Sequence, residues 1–362
     1  MHSSKSRKLK FILGLGKYLG LFAVASLLTR KRLRIICYHG TAIANEADFR
    51  PELFIGAATF EQRLQYIARK GFVVLSLEDA VARLRAGRLP PNSLVITIDD
   101  GFYGTYKEAI QLLKKYRLPA TLYITTYYSQ HQNPVYRLVV QYIFWATQEK
   151  SLDLDRLGVE ALRGEAAVSS RPDDATLWRI IEYGETRLDE PGRRQLAARL
   201  ASLLRVDLGE VERNRCLGLM NEDEIREASR AGIDIQLHTH RHRFPVDETS
   251  AKREIVENRA VLEPVVGKRL RHLCYPSGLW SDRHWAWLED LDVQTATTCD
   301  VGFNDPQTHP LALKRIFDSS VVSWTEFEGE LSGYLELVRG LRSRLGGRRR
   351  GPRRAGSAQL AS

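Results

Sequence analysis

The sequence predicts an α/β fold in which short strands alternate with helices. From residue 34 onward, short apolar runs are separated by amphipathic stretches, which is the pattern expected of β–α units that share one sheet. The chain has 362 residues, 43% of them hydrophobic, enough for one large domain or two smaller ones with a substantial core. The four cysteines are widely spaced and form no CxxC pair, so neither a disulfide scaffold nor a zinc knuckle is indicated.

The first segment, residues 1–33, is basic and apolar. Residues 11–28 are mostly apolar but include Lys17, and a basic run ending at Arg32 follows. This stretch is short for a spanning helix. Three interpretations stay open: a signal peptide cleaved near Ala25, a signal anchor, or an amphipathic helix that lies on an anionic membrane.

The main part of the chain supplies six candidate strands and five candidate helices. The strands are short apolar runs, at residues 34–38, 72–75, 94–98, 121–125, 233–237 and 272–275. The helices carry apolar residues at helical spacing, at residues 59–70, 77–86, 105–116, 222–231 and 249–266. Strands and helices therefore alternate over most of residues 34–320.

The segment from about residue 130 to residue 215 interrupts this alternation. It contains polar and charged helical stretches at 174–183 and 191–204, and no clear strand. We therefore predict a helical insertion. After the main domain we expect a C-terminal helix over 321–345 and a disordered basic tail over 346–362, because the tail is too rich in Arg, Gly and Ser to bury an apolar face.

The positive charge is concentrated at the two ends. Residues 1–34 and 339–362 hold 17 of the 54 Lys and Arg residues and no acidic residue, so the 44 acids outnumber the bases in between. The sequence pI of about 9.5 is thus weak evidence for nucleic acid, and we expect no nucleic-acid partner. The basic ends instead predict contact with an anionic membrane surface. We expect a bacterial cell-envelope protein at the inner membrane, with the side left open and the cytoplasm included, since free thiols favour a reducing compartment.

Two adjacent carboxylates, Asp99 and Asp100, directly follow the predicted strand 94–98. Gly101 then permits a sharp turn before the next helix. Adjacent carboxylates repel, so a cation, a donor or a shared proton is expected nearby. A turn with a helix cap is the alternative explanation.

A histidine cluster follows the predicted strand 233–237. His238 and His242 lie four positions apart and can converge on one metal ion, with a carboxylate oxygen as a third ligand. His240 could replace either neighbour, and a solvated loop is the alternative. With Asp99 and Asp100, the cluster supplies a two-histidine, one-carboxylate site with a spare carboxylate, which suits metal-assisted hydrolysis.

Several ordered motifs together resemble polysaccharide deacetylases of the NodB-homology type, carbohydrate esterase family four, in their exopolysaccharide-like branch. The likeness covers roughly residues 34–125 and 217–318. Its motifs are CYHG at 37–40, TIDDG at 97–101, LPATLY at 118–123, HTxxH at 238–242, CYPSG at 274–278, ATT at 296–298 with Gly302, and LKR at 313–315.

This resemblance implies a distorted (β/α)7-type barrel with a helical insertion and a deacetylase activity. It implies that Asp100, His238 and His242 hold a divalent metal and that Asp99 is the general base for a metal-bound water. The ligand set favours Zn²⁺, with Co²⁺, Ni²⁺ or Fe²⁺ as alternatives. The expected substrate is an acetylated glycan, either a bacterial polysaccharide or a lipid-linked sugar, with N-acetyl favoured over O-acetyl.

The remaining roles are assigned by the same likeness. The backbone N–H of Tyr275 is the candidate donor to the oxyanion, beside the metal. The late Leu-x-His motif of many members is Leu-Lys-Arg here, so His39 is the preferred general acid and His309 the fallback. The usual arginine motif is also altered, and Arg315 is the candidate that orients the base, because a guanidinium suits two-point contact with a carboxylate.

Residues near these motifs also have structural explanations. Trp280, Trp285 and Trp287 can stack on sugar rings, although core packing is the more frequent use of such a cluster. Cys37 and Cys274 are interpreted as small hydrophobic strand residues. The alternative functions are a metal-independent hydrolase of small cyclic amides, and a catalytically silent glycan-binding or assembly protein on the same barrel.

Overall fold

The computed structural model describes residues 11–169 and 174–345. Twelve strands are found in these residues. In chain order they are β1 Arg34–Tyr38, β2 Gly40–Ala42, β3 Phe54–Gly56, β4 Val73–Val74, β5 Ser93–Ile98, β6 Thr121–Ile124, β7 Ser151–Asp153, β8 Glu165–Ala167, β9 Asp234–Leu237, β10 His272–Cys274, β11 Thr295–Val301 and β12 Leu313–Phe317.

Seven of these strands close into a parallel barrel in the order β1-β12-β11-β10-β9-β6-β5. The ring closes because β1 pairs with β12 on one side and with β5 on the other. Strand β4 lies outside the ring and pairs only with the first residues of β5. The predicted distorted (β/α)7-type barrel is therefore confirmed.

Sixteen α-helices surround the barrel or extend from it in the described residues. They are α1 Phe11–Tyr18, α2 Leu21–Thr29, α3 Glu46–Phe49, α4 Ala57–Arg69, α5 Leu77–Arg85, α6 Ile110–Tyr116, α7 Tyr127–His131, α8 Tyr136–Ala146, α9 Ala175–Arg187, α10 Glu190–Leu203, α11 Gly209–Arg213, α12 Glu222–Arg230, α13 Glu248–Val266, α14 His284–Asp290, α15 Trp324–Leu331 and α16 Tyr334–Leu345. A π-helical turn, Thr105–Ala109, precedes α6. Short 3₁₀ turns occur at Leu154–Leu157, Pro276–Gly278 and Pro310–Ala312.

The alternation of side chains along the strands separates two cores. In β1 and β5, Ile35 and Val95 belong to an inner cluster with Cys274 and Leu313, which α5 covers. The residues between them, such as Ile36 of β1 and Ile96 of β5, pack outward against the helices. Because side chains alternate with a period of two, Asp99 is in phase with Val95, and Arg315 is in phase with Leu313. Both therefore belong to the inner side of the barrel.

The predicted strands and helices of the main domain occur within a few residues of their predicted ends. The strands β11 and β12 were not predicted, because their sequences are rich in threonine and charge. Thr297 and Thr298 are nevertheless fully buried, as is Arg315. These strands lie where polar side chains line the barrel interior, so hydrophobic periodicity could not detect them.

The insertion has a hydrophobic core of its own. Helices α8, α9 and α10 pack together through residues such as Val140, Ile180 and Leu200. The expectation of an insertion without a strand is wrong, since β7 and β8 form an antiparallel pair within it. These strands have three residues each, which is too short for a periodic signal.

The two ends of the chain pack against each other. Helices α1 and α2 are bent by 84° at the break between them, and α2 contacts α15 and α16. The single C-terminal helix predicted for 321–345 is two helices, because Gly333 adopts a positive φ of 81° at the break. The predicted disordered tail, residues 346–362, lies outside the described residues. No single helix among the described residues meets the length and hydropathy needed to cross a membrane, although α1 and α2 meet them together as a bent pair.

Candidate active site

The candidate active site lies at the carboxyl ends of the barrel strands. A cavity of about 360 Å³ opens there, lined by residues that follow β1, β5 and β9 and by side chains of the insertion. The predicted residues that line it are His39, Asp99, Asp100, His238, His242, Tyr275 and Arg315. Segments more than a hundred residues apart in sequence thus meet, as a parallel barrel requires for groups at one end of its strands.

Asp100, His238 and His242 converge on one point. The Oδ1 atom of Asp100 lies 3.2 Å from Nε2 of His238 and 3.2 Å from Nε2 of His242. This oxygen is buried and has no hydrogen-bond partner of acceptable geometry. One ligand atom from each residue falls within 4.8 Å of the others. Burial would raise the pKa of Asp100, but His242 and His238 hold it well below its ordinary value.

The backbone of the histidine turn is held in an unusual conformation. Thr239 and His242 have positive φ values of 64° and 53°, in the left-handed region, which the β-branched Thr239 in particular would rarely adopt. The Nδ1 atom of His238 donates to the carbonyl of Cys274 at 2.8 Å. This contact fixes the tautomer and leaves Nε2 directed at Asp100.

Helix α13 supports that turn through two residues one helical turn apart. Asn258 Oδ1 accepts from the backbone N–H of His238 at 3.0 Å, and its Nδ2 donates to Thr126 Oγ1 at 3.0 Å. Glu254 Oε2 accepts from the backbone N–H of Arg241 at 2.7 Å. Both are almost fully buried. Sequence reasoning missed them, although polar residues four positions apart on the buried face of a helix were a usable signal.

Asp99 points the other way, into the barrel, and is paired with Arg315. Arg315 Nη1 donates to Asp99 Oδ1 at 2.8 Å, and both side chains are buried. Burial would raise the pKa of Asp99, but Arg315 and nearby histidines lower it to about 2. Arg315 also donates through Nε to the carbonyl of Thr298 at 2.9 Å, which fixes its orientation.

Two buried thiols lie beneath Asp99. The Sγ atoms of Cys274 and Cys37 are 3.3 and 3.5 Å from Asp99 Oδ2. Arg315 Nη2 contacts the Sγ of Cys274 at 3.2 Å. The interpretation of these cysteines as small strand residues agrees with their burial, but it missed their contact with the carboxylate.

His39 lies at the rim of the same group. Its Nε2 is 3.8 Å from Asp99 Oδ2, and its ring stacks near Phe317. Burial lowers the pKa of His39, an effect that Asp99 and Asp100 oppose. The lowered pKa favours the neutral form of the His39 imidazole at neutral pH.

The structure contradicts the oxyanion assignment for Tyr275. Its backbone N–H already donates to the carbonyl of Thr297 at 3.1 Å, as part of the pairing between β10 and β11. Ser277, two residues further on, lines the cavity and has a positive φ of 54°. The N–H of Tyr275 is therefore already engaged in a backbone hydrogen bond.

Several other candidates are not brought to the site. His240 turns away, with Nδ1 2.8 Å from Thr126 Oγ1. His309 precedes β12, at the opposite end of the barrel, where its ring stacks on Trp285 with centroids 3.7 Å apart. It is therefore wrong as a fallback acid, because parallel strands keep the two ends apart. Trp280 and Trp287 pack against the main core together with Trp285, which agrees with the packing interpretation.

The donor set fits a divalent cation. Two imidazole nitrogens and a carboxylate oxygen face one point, and the buried carboxylate oxygen lacks a donor of its own. Such a facial set leaves positions open for water and substrate. The adjacent Asp99 is turned out of this set by its pairing with Arg315. The arrangement can hold a Lewis acid beside a free base, which is the requirement of metal-assisted hydrolysis.

The sequence matches the family profile described as polysaccharide deacetylase over residues 86–161 and 208–296. A Bacillus subtilis protein, YxkH, whose name assigns it provisionally to the polysaccharide deacetylases, is 29% identical over 94 residues. That match covers 26% of this chain and 32% of the relative, so the chain matches about a third of the length of this relative.

Three solved structures share the fold. A deacetylase of Streptococcus pyogenes, PplD, in complex with acetate, has a TM-score of 0.54 at 16% identity, covering 84% of this chain and 97% of its own. IcaB from Ammonifex degensii has a TM-score of 0.51 at 17% identity, covering 83% and 97%. A de-N-acetylase from Aggregatibacter actinomycetemcomitans has a TM-score of 0.52 at 12% identity, covering 83% and 99%. At these identities the likeness concerns the fold alone.

Proposed function

The chain belongs to the polysaccharide deacetylase family, and we propose that it hydrolyses N-acetyl groups from an amino sugar of a bacterial surface polysaccharide or its lipid-linked precursor. The observation that carries this proposal is the position of Asp100 Oδ1, 3.2 Å from two imidazole nitrogens, with a second carboxylate next to it in sequence. One cation and one base at the same site are what amide hydrolysis by water needs.

Asp100, His238 and His242 would hold the cation. When bound, a divalent cation polarises the acetyl carbonyl and makes a water molecule more acidic. The ligand set of two imidazoles and one carboxylate favours zinc, although cobalt, nickel and ferrous iron accept the same donors.

Asp99 acts as the base through Oδ2. Its Oδ1 accepts from the Arg315 guanidinium, whereas Oδ2 faces the weakly donating thiols of Cys37 and Cys274 and the ring of His39. Oδ2 is therefore the oxygen that accepts the proton of the attacking water. The water oxygen bonds to the acetyl carbon, and the C–N bond then breaks. Arg315 acts as a positioning residue, because it fixes the carboxylate and favours its charged form.

His39 delivers the proton to the leaving amine. Its Nε2 lies 3.8 Å from Asp99 Oδ2, so a small side-chain rotation allows a relay from carboxylate to imidazole. The neutral imidazole produced by burial accepts that proton, and the protonated ring then protonates the amine nitrogen. The products are acetate and a free amino sugar.

The insertion forms part of the cavity wall. Val135, which directly precedes α8, lines the cavity together with Arg137 and Leu138 of α8, Glu185 of α9 and Arg193 of α10. Arg137 and Glu185 form a two-point ion pair. We assign the choice of glycan to these side chains, since they line the same cavity as Asp100, His238 and His242.

The test is metal analysis of the purified chain together with acetate release from an N-acetylglucosamine oligomer. We expect one divalent cation per chain, and acetate release that stops with a chelator and returns with zinc. Asp99→Asn should keep the cation and lose about 10²- to 10⁴-fold in rate, the usual contribution of a general base. A metal-free protein that binds the oligomer without releasing acetate would establish the silent glycan-binding alternative. Full activity of Asp99→Asn would remove Asp99 as the base.

We also propose that the enzyme works in the bacterial cell envelope, at the inner membrane. Support comes from the basic, acid-free segment 1–34. The folded form of that segment suggests how the contact is made.

A further inference from the structure

Helices α1 and α2 each have an inner face that packs on the folded domain. Leu13 of α1 and Ala25 of α2 are both 1% exposed. The ring of Phe22 lies 5.1 Å from that of Tyr334. Arg34 Nη2 donates to Thr29 Oγ1 at 2.9 Å, which ties the end of α2 to the start of β1. The helical pair is therefore anchored to the domain.

The outer faces of the same helices are also apolar. Large apolar residues recur at helical spacing on α1 and α2 and at the break between them, with no protein over them in the described residues. Their exposed fractions are Phe11 72%, Leu15 47%, Tyr18 88%, Leu19 59%, Leu21 39%, Val24 53%, Leu27 60% and Leu28 67%. Eight exposed large apolar residues within two short helices and the break between them differ from the scattered single exposures usual on soluble domains, and such a concentration marks an interaction surface.

Every charged residue in the segment that carries this outer face, residues 1–34, is basic. Arg30 and Lys31 follow α2 and are exposed, and neither takes part in an ion pair with another described residue. Residues 1–34 contain nine Lys and Arg residues and no acid. An apolar helix face bordered by basic residues matches the interfacial zone of a bilayer with anionic headgroups.

We propose that the outer face of α1 and α2 is a docking surface for an anionic lipid bilayer. The aliphatic and aromatic side chains enter the headgroup boundary, and Arg30 and Lys31 contact lipid phosphates. A second copy of the chain is a poorer occupant, because a two-fold contact through this face would bring two acid-free basic segments together.

The anchoring contacts place this surface relative to the active site. Thr29 and Arg34 lie at the amino end of the barrel, whereas the cavity lies at the carboxyl ends of the strands. Docking through α1 and α2 therefore leaves the cavity free for a glycan. This inference does not depend on the proposed activity.

The experiment is vesicle flotation with the purified full-length protein. Vesicles of phosphatidylcholine alone are compared with vesicles that also contain phosphatidylglycerol. We expect the wild type to float with the anionic vesicles, less at high salt, and much less with phosphatidylcholine. The double variant Leu15→Ser/Leu28→Ser should bind at least about tenfold more weakly, because it removes two exposed apolar side chains. Arg30→Gln/Lys31→Gln should lose about fivefold per charge.

Matched controls come from exposed valines elsewhere. Val246 and Val321 are 66% and 58% exposed, so Val246→Ser/Val321→Ser should float like the wild type. Wild type that stays with the unbound fraction, or Leu15→Ser/Leu28→Ser that floats unchanged, would overturn the proposal. So would light scattering that shows a wild-type dimer converted to a monomer by Leu15→Ser/Leu28→Ser. Acetate release measured on the same samples keeps this result separate from the test of activity.

Discussion

Asp99 and Asp100 are neighbours in sequence but lie in two different regions of the molecule. Asp99 follows the alternation of β5 into the barrel, where Arg315 and two thiols surround it. Asp100 has a positive φ of 70°, which turns its side chain toward the histidine turn. One peptide bond thus separates the proposed base, which a cationic side chain holds, from the carboxylate that we propose as a metal ligand. The repulsion between the two adjacent carboxylates is reduced because Asp99 pairs with Arg315, whereas Asp100 faces the imidazoles of His238 and His242.

The two regions also differ in their support. The base side, which consists of Asp99 and Arg315, is built from strands. Arg315 lies on β12 and donates to the carbonyl of Thr298 on β11. The metal side, which consists of Asp100 and the turn that carries His238 and His242, depends on helix α13. Asn258 and Glu254 of that helix accept hydrogen bonds from the backbone of the turn. We therefore expect substitutions on the metal side to change metal affinity, and substitutions on the base side to change the rate and its pH dependence with the metal retained.

The largest effect is expected from removing a metal ligand. His238→Ala should lose the bound cation and reduce acetate release at least about 10³-fold, because Lewis-acid stabilisation contributes several kcal/mol. Metal content by elemental analysis and the rate of acetate release are the measurements. His309→Ala, at the other end of the barrel, is the matched control and should keep both. Retention of the cation by His238→Ala would contradict the assignment of His238 as a ligand, since the metal would then lie elsewhere.

A smaller effect is expected from Arg315. Arg315→Lys should reduce the rate about 10²-fold, since one ammonium cannot reproduce the fixed contacts of the guanidinium. The cation should stay bound. Because Arg315 holds the pKa of Asp99 at about 2, weakening this pair raises that pKa, and the acid limb of the pH–rate profile moves to higher pH. An unchanged acid limb with a reduced rate would assign Arg315 a structural role only.

The smallest effect is expected from Asn258. Asn258→Ala should lower metal affinity about 10- to 100-fold, the usual range for residues that support metal ligands. Activity should recover at saturating metal, since the ligands themselves remain. Titration with zinc followed by acetate release measures both quantities. A rate that stays low at saturating zinc would show that Asn258 supports more than the metal side.

The sequence predicted the parts of the site that directly follow recognisable strands. Asp99, Asp100, His238 and His242 each come just after an apolar run, and parallel strands bring such positions together. The role proposed for the N–H of Tyr275 failed because pairing between β10 and β11 consumes that group. Such pairing joins residues that are distant in sequence, and β11 was not predicted because its sequence is rich in threonine.

The residues that support the histidine turn were not predicted either. Asn258 and Glu254 lie on a helix that was predicted correctly, but nothing in the local pattern indicates which loop they contact. The barrel itself was predictable mainly through family likeness. Periodicity alone predicted alternation of strands and helices, and closure depends on the contact between β1 and β12, nearly three hundred residues apart.

The left-handed backbone at Thr239 and His242 links the stability of the barrel to the precision of its chemistry. Each such residue costs on the order of 1–3 kcal/mol, a large share of the net stability of a typical domain. The strands and α13 must supply that energy before any ligand binds. A variant with a weakened core would therefore relax this turn first, and would lose catalytic geometry while the rest of the chain remained folded.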